Sequence, residues 1–261
     1  MRLPLYQVDT FASRAFGGNP AAVVPLDAFP DDALMQAIAA ENNLSETAFL
    51  VPQGEDFALR WFTPAVEVPL CGHATLASAA VVMERLQPGR ERVVFHTRSG
   101  PLPVRRAGQG YELDFPARDC APVPQPADLE AALGARVLET VGNEFILVAR
   151  LRDAAAVRAL RPDFATLRAV PAPSIAVTAE GDDGFDIVSR FFAPAKGVDE
   201  DPVTGSAHCT LVPWWARRLG RDTLRAWQAS PRGGEIGCRL EAGRVLMQGR
   251  CVFFLEGRIE V

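Results

Sequence analysis

The sequence is poor in the residues that build metal sites and disulfide frameworks. Its three histidines are His73, His96 and His208, and its five cysteines form an odd set without a C-x-x-C pair. A disulfide framework or a structural zinc site is therefore not expected. Neither a Walker-type loop nor a G-x-G-x-x-G turn occurs, so a nucleotide cofactor is unsupported. We expect a protein with reduced thiols, no metal and no cofactor.

Positive charge and long apolar runs are lacking as well. The net charge is −5, and no basic cluster carries interleaved aromatic residues, which argues against nucleic-acid binding. No stretch approaches the roughly 18 apolar residues of a membrane span, and the first residues, MRLPLYQVDTFASRAF, lack the apolar segment of a signal peptide. An apolar content of 48% is typical of globular proteins. The expected location is the cytoplasm, with neither nucleic acid nor membrane as partner.

The sequence does contain an internal duplication. Four segments recur in the same order at shifts of 124 to 133 residues. The pairs are GNPAAVV (18–24) with GNEFILV (142–148), LSETAFLV (44–51) with PSIAVTAE (173–180), LRWFTPAVE (59–67) with SRFFAPAKG (189–197), and CGHATLASAAVVMERL (71–86) with TGSAHCTLVPWWARRL (204–219). Such an ordered set indicates two similar domains. We predict an N-terminal half, 1–116, to which the C-terminal strand could return, a proline-rich link near 116–128, and a C-terminal half, 117–261.

The secondary-structure pattern fits this duplication. Short β-branched and apolar runs separated by Gly/Pro turns predict strands. Each half also has one helix that is apolar most of the way round, at 73–86 and 206–219, which is typical of a buried helix. Amphipathic helices are predicted near 31–42 and 127–133. The expected fold is α+β, with two pseudo-symmetric domains, each a mostly antiparallel sheet curled around a central helix. Pro213 predicts a kink or a late start in the second central helix.

Both predicted central helices begin at a turn that contains glycine, C-G-H (71–73) and T-G-S (204–206). Unpaired backbone N–H groups and the helix dipole make such starts suitable for anions. The ordinary alternative is that Thr204 and Ser206 cap one helix and Gly72 is a plain turn residue. Because the feature occurs twice, the sequence favours a small substrate that bears a carboxylate or a phosphate.

Three titratable residues lie near these starts. Glu46 precedes an apolar run, His73 lies in the first turn of the first helix, and Asp201 lies just ahead of the second. The helix dipole predicts a neutral imidazole for His73. Each residue has an ordinary alternative, respectively a solvated glutamate, a histidine bonded to backbone and a capping acid. If they converge, they form a general acid/base set. Ser206 lacks the G-x-S-x-G frame of a nucleophile.

The motifs GGNPAAVV (17–24), NLSETAFL (43–50), RWFTPAVEVPLCGHATLASA (60–79) and FFAPAKGVDEDPVTGSAHCTL (191–211) resemble the phenazine biosynthesis PhzF-like family. That family is similar in fold to diaminopimelate epimerase, with two pseudo-symmetric domains and the active site in the cleft between them. The resemblance implies a cofactor-independent isomerase that moves a proton between carbons of a small carboxylate. It also implies a homodimer.

The resemblance assigns roles to individual residues. Glu46, in S-E-T-A-F, matches the glutamate that shuttles the proton, while His73 and Asp201 match an active-site histidine and aspartate. Positions that match contacts to the substrate or line the cleft are Gly72, Gly205, Ser206, Asn19, Gly233 and Gly234. The related epimerases carry a cysteine at each helix start. Cys71 matches the first of these two cysteines. The position that matches the second falls in 201–203, which has no thiol.

Two other functions stay open. One is an epimerase or racemase that acts on an amino-acid-like substrate, with Glu46 and another base. The other is a non-catalytic protein of the same fold that binds a metabolite or a protein partner. Cys71 and Cys209 are not at equivalent positions of the two repeats, which argues against a symmetric pair of thiol bases.

Overall fold

The computed structural model describes all 261 residues, and the chain divides into two compact units. The first unit consists of Met1–Asp114 and Gln248–Val261, and the second of Phe115–Met247. The end of the chain therefore belongs to the first unit, a return of the C-terminal strand that the predicted division into 1–116 and 117–261 had left open. No helix has the length and apolar character needed to cross a membrane.

The chain forms six α-helices and eighteen strands. The helices are α1 (Asp32–Asn42), α2 (Gly72–Val81), α3 (Leu129–Leu133), α4 (Ala154–Ala159), α5 (Phe164–Ala169) and α6 (Gly205–Leu219). The strands are β1 (Arg2–Thr10), β2 (Asn19–Pro25), β3 (Glu46–Gln53), β4 (Asp56–Phe62), β5 (Glu67–Val68), β6 (Arg92–Thr97), β7 (Gly100–Ala107), β8 (Gly110–Pro116), β9 (Ala121–Pro122), β10 (Glu139–Gly142), β11 (Leu147–Arg150), β12 (Ile175–Glu180), β13 (Ile187–Ala193), β14 (Val198–Asp201), β15 (Thr223–Gln228), β16 (Gly234–Glu241), β17 (Arg244–Gly249) and β18 (Cys251–Glu260).

The two units repeat one pattern of strand pairing. In the first, β1–β2 is antiparallel, β2–β3 parallel, β3–β4 antiparallel, β4–β6 parallel and β6–β7 antiparallel. In the second, β10–β11, β11–β12, β12–β13, β13–β15 and β15–β16 follow the same alternation. The α+β class and the pseudo-symmetry are confirmed. Each unit carries two parallel pairs within its antiparallel framework.

An arginine clamp also occurs once in each unit. Arg60 on β4 donates two hydrogen bonds to Glu67 on β5, both at 2.8 Å. Arg190 on β13 binds Glu200 on β14 in the same way, at 2.7 and 2.8 Å. Each guanidinium lies 5.2 Å from the ring of the phenylalanine two residues along its own strand. Because such bidentate pairs fix geometry, the clamps hold the short strands that lead into α2 and α6.

The amphipathic helices pack as their apolar faces require. Helix α1 lies within the predicted 31–42, buries Met35 and Ile38, and packs on the core formed by β1 to β4. Helix α3 falls within the predicted 127–133 and, with α4 and α5, covers the second unit's core. Helices α4 and α5 were not predicted. They are short, and the capping carboxylates of Asp153 and Asp163 are their main local signal.

The two central helices are buried, as predicted. Helix α2 continues as a π-helical turn, Val82–Leu86, so that the helical segment ends where the sequence predicted. Helix α6 begins at Gly205, not late, and continues through Pro213. Pro213 cannot donate to the carbonyl of Cys209, four residues earlier. That carbonyl instead accepts a hydrogen bond from the backbone N–H of Arg118 at 2.8 Å.

Equivalent side chains bond back to the first turn of each central helix. In α2, the Thr75 hydroxyl donates to the carbonyl of Cys71 at 2.6 Å. In α6, Nδ1 of His208 lies 2.8 Å from the carbonyl of Thr204, which fixes the proton on Nδ1. The His208 side chain is fully buried, and its Nε2 has no hydrogen-bond partner. Burial lowers the pKa of His208 from 6.5 to about 4.

This histidine makes stability depend on pH. Because the pKa of His208 is lower in the folded state, the unfolded chain binds more protons between pH 6.5 and about 4. We expect this one group to reduce the free energy of unfolding by about 3 kcal/mol as the pH falls through that window. Urea unfolding at several pH values should show a shallower loss for His208→Gln than for the wild type. The exposed His96→Gln is the control, and parallel curves for His208→Gln and wild type would contradict the assignment.

Candidate functional site

In the first unit, the strand order brings three predicted site residues to one edge. Asn19 begins β2 and Glu46 begins β3. These strands run parallel, with Ala21 opposite Glu46, so that their starts are neighbours. His73 lies in the first turn of α2, which packs on β2 and β3. The association of Asn19, Glu46 and His73 therefore follows from strand register and helix placement.

The imidazole of His73 is the centre of this cluster. Its Nε2 lies 3.1 Å from Oε2 of Glu46, and its Nδ1 lies 3.5 Å from Sγ of Cys71 and 3.4 Å from Nδ2 of Asn19. Only 8% of the His73 side chain and 19% of the Glu46 side chain are exposed. Neither Nε2 of His73 nor Oε2 of Glu46 makes a hydrogen bond of good geometry. Their contact is thus a close charge pair without aligned hydrogen bonding.

The pKa values of this cluster are set by burial and by mutual charge. Burial raises the pKa of Glu46, but His73 outweighs it and holds the pKa of Glu46 below its ordinary value. Burial lowers the pKa of His73, but Cys71 and Glu46 together raise it well above 6.5. Burial, with Glu46, raises the pKa of Cys71 to about 11. Cys71 is therefore a thiol at neutral pH, which leaves the Glu46 carboxylate as the full negative charge beside His73.

This charge state differs from the prediction. The dipole of α2 predicted a neutral His73, whereas its pKa is raised and the imidazolium is favoured. The dipole supplies only a partial charge near the helix start, while a full carboxylate charge lies 3.1 Å from Nε2. Because Glu46 and His73 are 27 residues apart in sequence, only the fold shows that the carboxylate lies close enough to outweigh the dipole.

The N-cap residue of neither central helix uses its side chain for capping. Cys71 precedes α2 and Thr204 precedes α6, both with extended backbone and without a side-chain cap hydrogen bond. The Thr204 hydroxyl donates to a carboxylate oxygen of Asp201 instead. Thr204 is thus the N-cap residue of α6 by position, as the ordinary alternative had it, but its side chain does not cap the helix. The first-turn N–H groups of both helices consequently keep their suitability for an anion.

In the second unit, Gln228 fixes the turn that leads into α6. Its Oε1 accepts a hydrogen bond from the backbone N–H of Thr204 at 2.8 Å. Its Nε2 donates to the carbonyl of Asp201 at 2.7 Å and to the hydroxyl of Thr204 at 3.1 Å. The side chain of Asp201 is therefore presented from a backbone that is held at both ends of the turn.

The turn Arg-Gly-Gly (232–234), which contains the predicted site residues Gly233 and Gly234, is held by its own contacts. The backbone N–H of Gly233 donates to the carbonyl and the hydroxyl of Ser230, at 3.0 and 3.1 Å. Gly233 has φ of +64°, and a Cβ there would lie 2.4 Å from the Trp227 ring. Gly234 begins β16. Glycine at 233 is thus required both by the left-handed backbone and by the indole beneath it.

The two reasons for glycine at 233, the left-handed backbone and the overlap with Trp227, can be separated by experiment. Gly243 also has a left-handed backbone, with φ of +75°, but open space around a Cβ. We expect Gly243→Ala to lower the free energy of unfolding by about 1–2 kcal/mol through backbone strain. Gly233→Ala should cost about 1–3 kcal/mol more, because the methyl group overlaps Trp227. Urea unfolding of both variants measures the difference, and equal losses would show that Trp227 does not restrict the turn.

The predicted site residues fall into two sets. Those in the first unit are Asn19, Glu46, Gly72 and His73, and those in the second are Asp201, Gly205, Ser206, Gly233 and Gly234. Sequence reasoning missed the contact of Cys71 with His73, the Ser45 hydroxyl that donates to Oδ1 of Asn19 at 3.2 Å, and the role of Gln228. The position of Ser45 next to Glu46 could have indicated it as a site residue, whereas nothing in the sequence indicated Gln228.

Comparisons with known proteins agree on one family. A family model described as phenazine biosynthesis-like protein matches residues 8–257. A Pseudomonas aeruginosa protein named as an uncharacterized isomerase is 53% identical over the whole of both chains. The crystal structure of a PhzF family protein from Enterococcus faecalis is 44% identical, with a TM-score of 0.97 over 100% of each chain. A probable proline racemase from Agrobacterium radiobacter, 13% identical, shares the fold with a TM-score of 0.63 over 99% of this chain and 92% of its own.

Proposed function

Because this chain belongs to the phenazine biosynthesis-like protein family, we propose that it is an isomerase that moves a proton between carbons of a small carboxylate-bearing substrate without a cofactor. Relatives named as isomerases support an isomerase-type enzyme. The observation that carries the proposal is the buried pair of Glu46 and His73, with 3.1 Å between Oε2 and Nε2. Strongly perturbed titratable groups in contact are a mark of catalytic sites.

In the proposed reaction, Glu46 is the base. Its carboxylate takes a proton from one substrate carbon, the electron pair of that C–H bond enters the conjugated system, and the proton returns to another carbon. No electron is gained or lost overall. The His73 imidazolium keeps Glu46 ionised before the transfer and stabilises negative charge that develops on the substrate.

The charge state of Glu46 limits the substrate. A carboxylate of lowered pKa is a weak base, so that it removes only a comparatively acidic proton. The reacting carbon should therefore lie next to a carbonyl group or a conjugated double bond. We propose that the first turn of α2 binds a carboxylate of the substrate. For the second unit, we propose that Asp201 orients a polar substituent and that Gly205 and Ser206 offer further N–H donors.

The test is a screen in heavy water. Small carboxylic acids with an acidic C–H bond are incubated with the protein, and each is followed by mass spectrometry and chromatography. The proposal predicts that at least one acid gains deuterium at carbon and yields an isomer with a shifted double bond. If acids that bind in a thermal-shift assay exchange no carbon-bound proton, the protein is a binder and the proposal is wrong.

Epimerisation is the second candidate, and one observation favours it. The thiol of Cys71 lies 3.5 Å from Nδ1 of His73, in the same cluster as Glu46. A carboxylate and a thiol could serve as two bases on one carbon, the thiol after deprotonation. The heavy-water screen distinguishes the two reactions, because epimerisation inverts one stereocentre and leaves every double bond in place.

A further inference from the structure

We propose that the free edge of β18 is the surface through which two copies of this chain associate. In this arrangement, β18 of one copy pairs antiparallel with β18 of the other, about a two-fold axis at Gly257. Whereas the resemblance to the phenazine biosynthesis-like family implies only that two copies associate, this edge and its side chains specify where the copies meet and in which register. The inference concerns assembly and does not rest on the proposed function.

Strand β18 is paired along one of its two sides. The sheet of the first unit runs in the order β18, β1, β2, β3, β4, β6 and β7, so that β18 lies at its end. The strand is ten residues long and pairs with β1, where Leu5 lies opposite Gly257. The other side offers unpaired N–H and C=O groups, and such an edge is a template for pairing with another chain.

Exposed apolar side chains gather along and beside this edge. Five of the ten large exposed apolar residues lie there, namely Met1, Phe16, Phe254, Leu255 and Val261. The rings of Phe16 and Phe254 contact each other edge to face, with centroids 5.6 Å apart. The backbone N–H of Val261 donates to the carbonyl of Met1 at 2.8 Å. Single exposed apolar residues are ordinary, but a group of them along one strand marks an interaction surface.

The charges of β18 select the register of the pairing. In an antiparallel pair of identical strands, the two-fold axis passes through one residue, and residues at equal distances from it lie opposite each other. With the axis at Gly257, Glu256 of each copy lies opposite the partner's Arg258. An axis at Glu256 or at Arg258 would place like charges opposite each other, which is destabilising. An axis at Ile259 would leave the exposed Leu255 outside the paired segment.

The ion pairs within the chain leave Arg258 available for this contact. Glu256 accepts a hydrogen bond from Nε of Arg85 at 3.0 Å, which holds its carboxylate in place. Glu260 lies 3.9 Å from Arg2. The exposed Arg258 forms no ion pair with its own chain. Charged side chains at an exposed edge ordinarily repel other strands, and here the alternation of sign favours one symmetric partner.

The side-chain faces fit the same register. Leu255, Gly257 and Ile259 share the face of the sheet that carries Leu3 and Leu5 in β1. Leu3 and Leu5 belong to the core beneath α1, and Ile259 packs against that core. With the axis at Gly257, Leu255 lies opposite the partner's Ile259, so that this apolar layer continues into the second copy. Only the Leu255 side chain lies within 4 Å of where a Cβ of Gly257 would be, which leaves the axis open to a close approach.

Sedimentation velocity over a dilution series measures the association. The wild type should sediment at twice the chain mass of 28.2 kDa. Glu256→Arg and Arg258→Glu each place like charges opposite each other on both sides of the axis, so each should weaken dimerisation at least about tenfold. An equal mixture of the two variants should form a dimer again, because every arginine then faces a glutamate. The matched controls Glu41→Arg and Arg92→Glu, at exposed positions of α1 and β6, should stay dimeric.

Three results would overturn the proposal. They are a wild type that stays monomeric at the highest soluble concentration, a dimer that neither single variant weakens, and a mixture of the two variants that fails to associate. Circular dichroism and thermal melting confirm that each variant is folded. Arg258→Glu removes no ion pair of the single chain, so that its effect on the dimer is free of a change within the monomer.

A cross-link tests the position of the axis independently. Opposite residues of an antiparallel pair have Cα atoms about 4.5–5.5 Å apart, within the range of a disulfide. Gly257→Cys should therefore give a disulfide-linked dimer on oxidation, which non-reducing gel electrophoresis detects and a reductant reverses. The control Gln53→Cys, exposed at the end of β3, should run as a monomer, as the wild type does. A Gly257→Cys protein that is dimeric in solution but forms no cross-link would contradict an axis at Gly257.

Discussion

Glu46→Gln is expected to reduce carbon–proton exchange by about 10³-fold, within the range that a positioned general base contributes. Glutamine keeps the size and the hydrogen-bonding capacity of the side chain but cannot accept the proton. The rate of deuterium incorporation into a substrate identified in heavy water measures the effect. Substrate binding, measured by calorimetry, should change far less than the rate, because the carboxylate is needed for the proton transfer.

A matched variant separates this effect from a general loss of negative charge. Glu41 is exposed on α1, and Glu41→Gln changes the net charge of the chain by the same amount. It should exchange protons at the wild-type rate. A Glu46→Gln variant that folds, binds substrate and keeps more than about a tenth of the wild-type rate would rule out Glu46 as the base.

Removal of His73 should change both the rate and its dependence on pH. In the wild type, His73 holds the pKa of Glu46 low against the opposing effect of burial. Without the imidazolium, burial outweighs the remaining hydrogen bond from Cys71, and the pKa of Glu46 should rise above its ordinary value. The active carboxylate then persists only at higher pH. For the His73→Asn variant, we expect a lower rate at pH 6 and an acidic limb of kcat/KM shifted to higher pH.

The pH profile distinguishes this role from a structural one. A variant that merely loosened the site would lower the rate equally at all pH values. His96→Asn, at an exposed position, should keep the wild-type profile. An acidic limb that stays in place in His73→Asn would show that the imidazolium does not set the pKa of Glu46.

Much of the fold could be predicted from sequence because the chain carries its pattern twice. Arg60 and Arg190 were matched by sequence alone, and in the structure each binds a glutamate on the adjacent short strand. The continuous apolar character of 73–86 and 206–219 predicted two buried helices correctly. In contrast, α4 and α5 have six residues each, too few for a clear helical period.

The residues of the candidate site could be predicted from the sequence, but the protonation state of His73 could not. The glycine-containing helix starts, together with the resemblance to the phenazine biosynthesis PhzF-like family, identified the residues of the first unit. The direction of the pKa shift of His73 depends on a carboxylate that lies 27 residues earlier in the chain and 3.1 Å away in space. The contact of Cys71 with the His73 ring and the hydrogen bonds of Gln228 likewise depend on packing. No periodicity in the sequence encodes these contacts.

The most direct test of the central proposal follows a single hydrogen atom. A substrate deuterated at the carbon that loses its proton is converted in ordinary water, and the product is analysed for deuterium. If the largely buried Glu46 both takes and returns the proton, part of the deuterium should appear at the second carbon of the product, and Glu46→Gln should abolish this transfer. Complete loss of deuterium to solvent with inversion at the original carbon, or undiminished transfer by Glu46→Gln, would contradict the account.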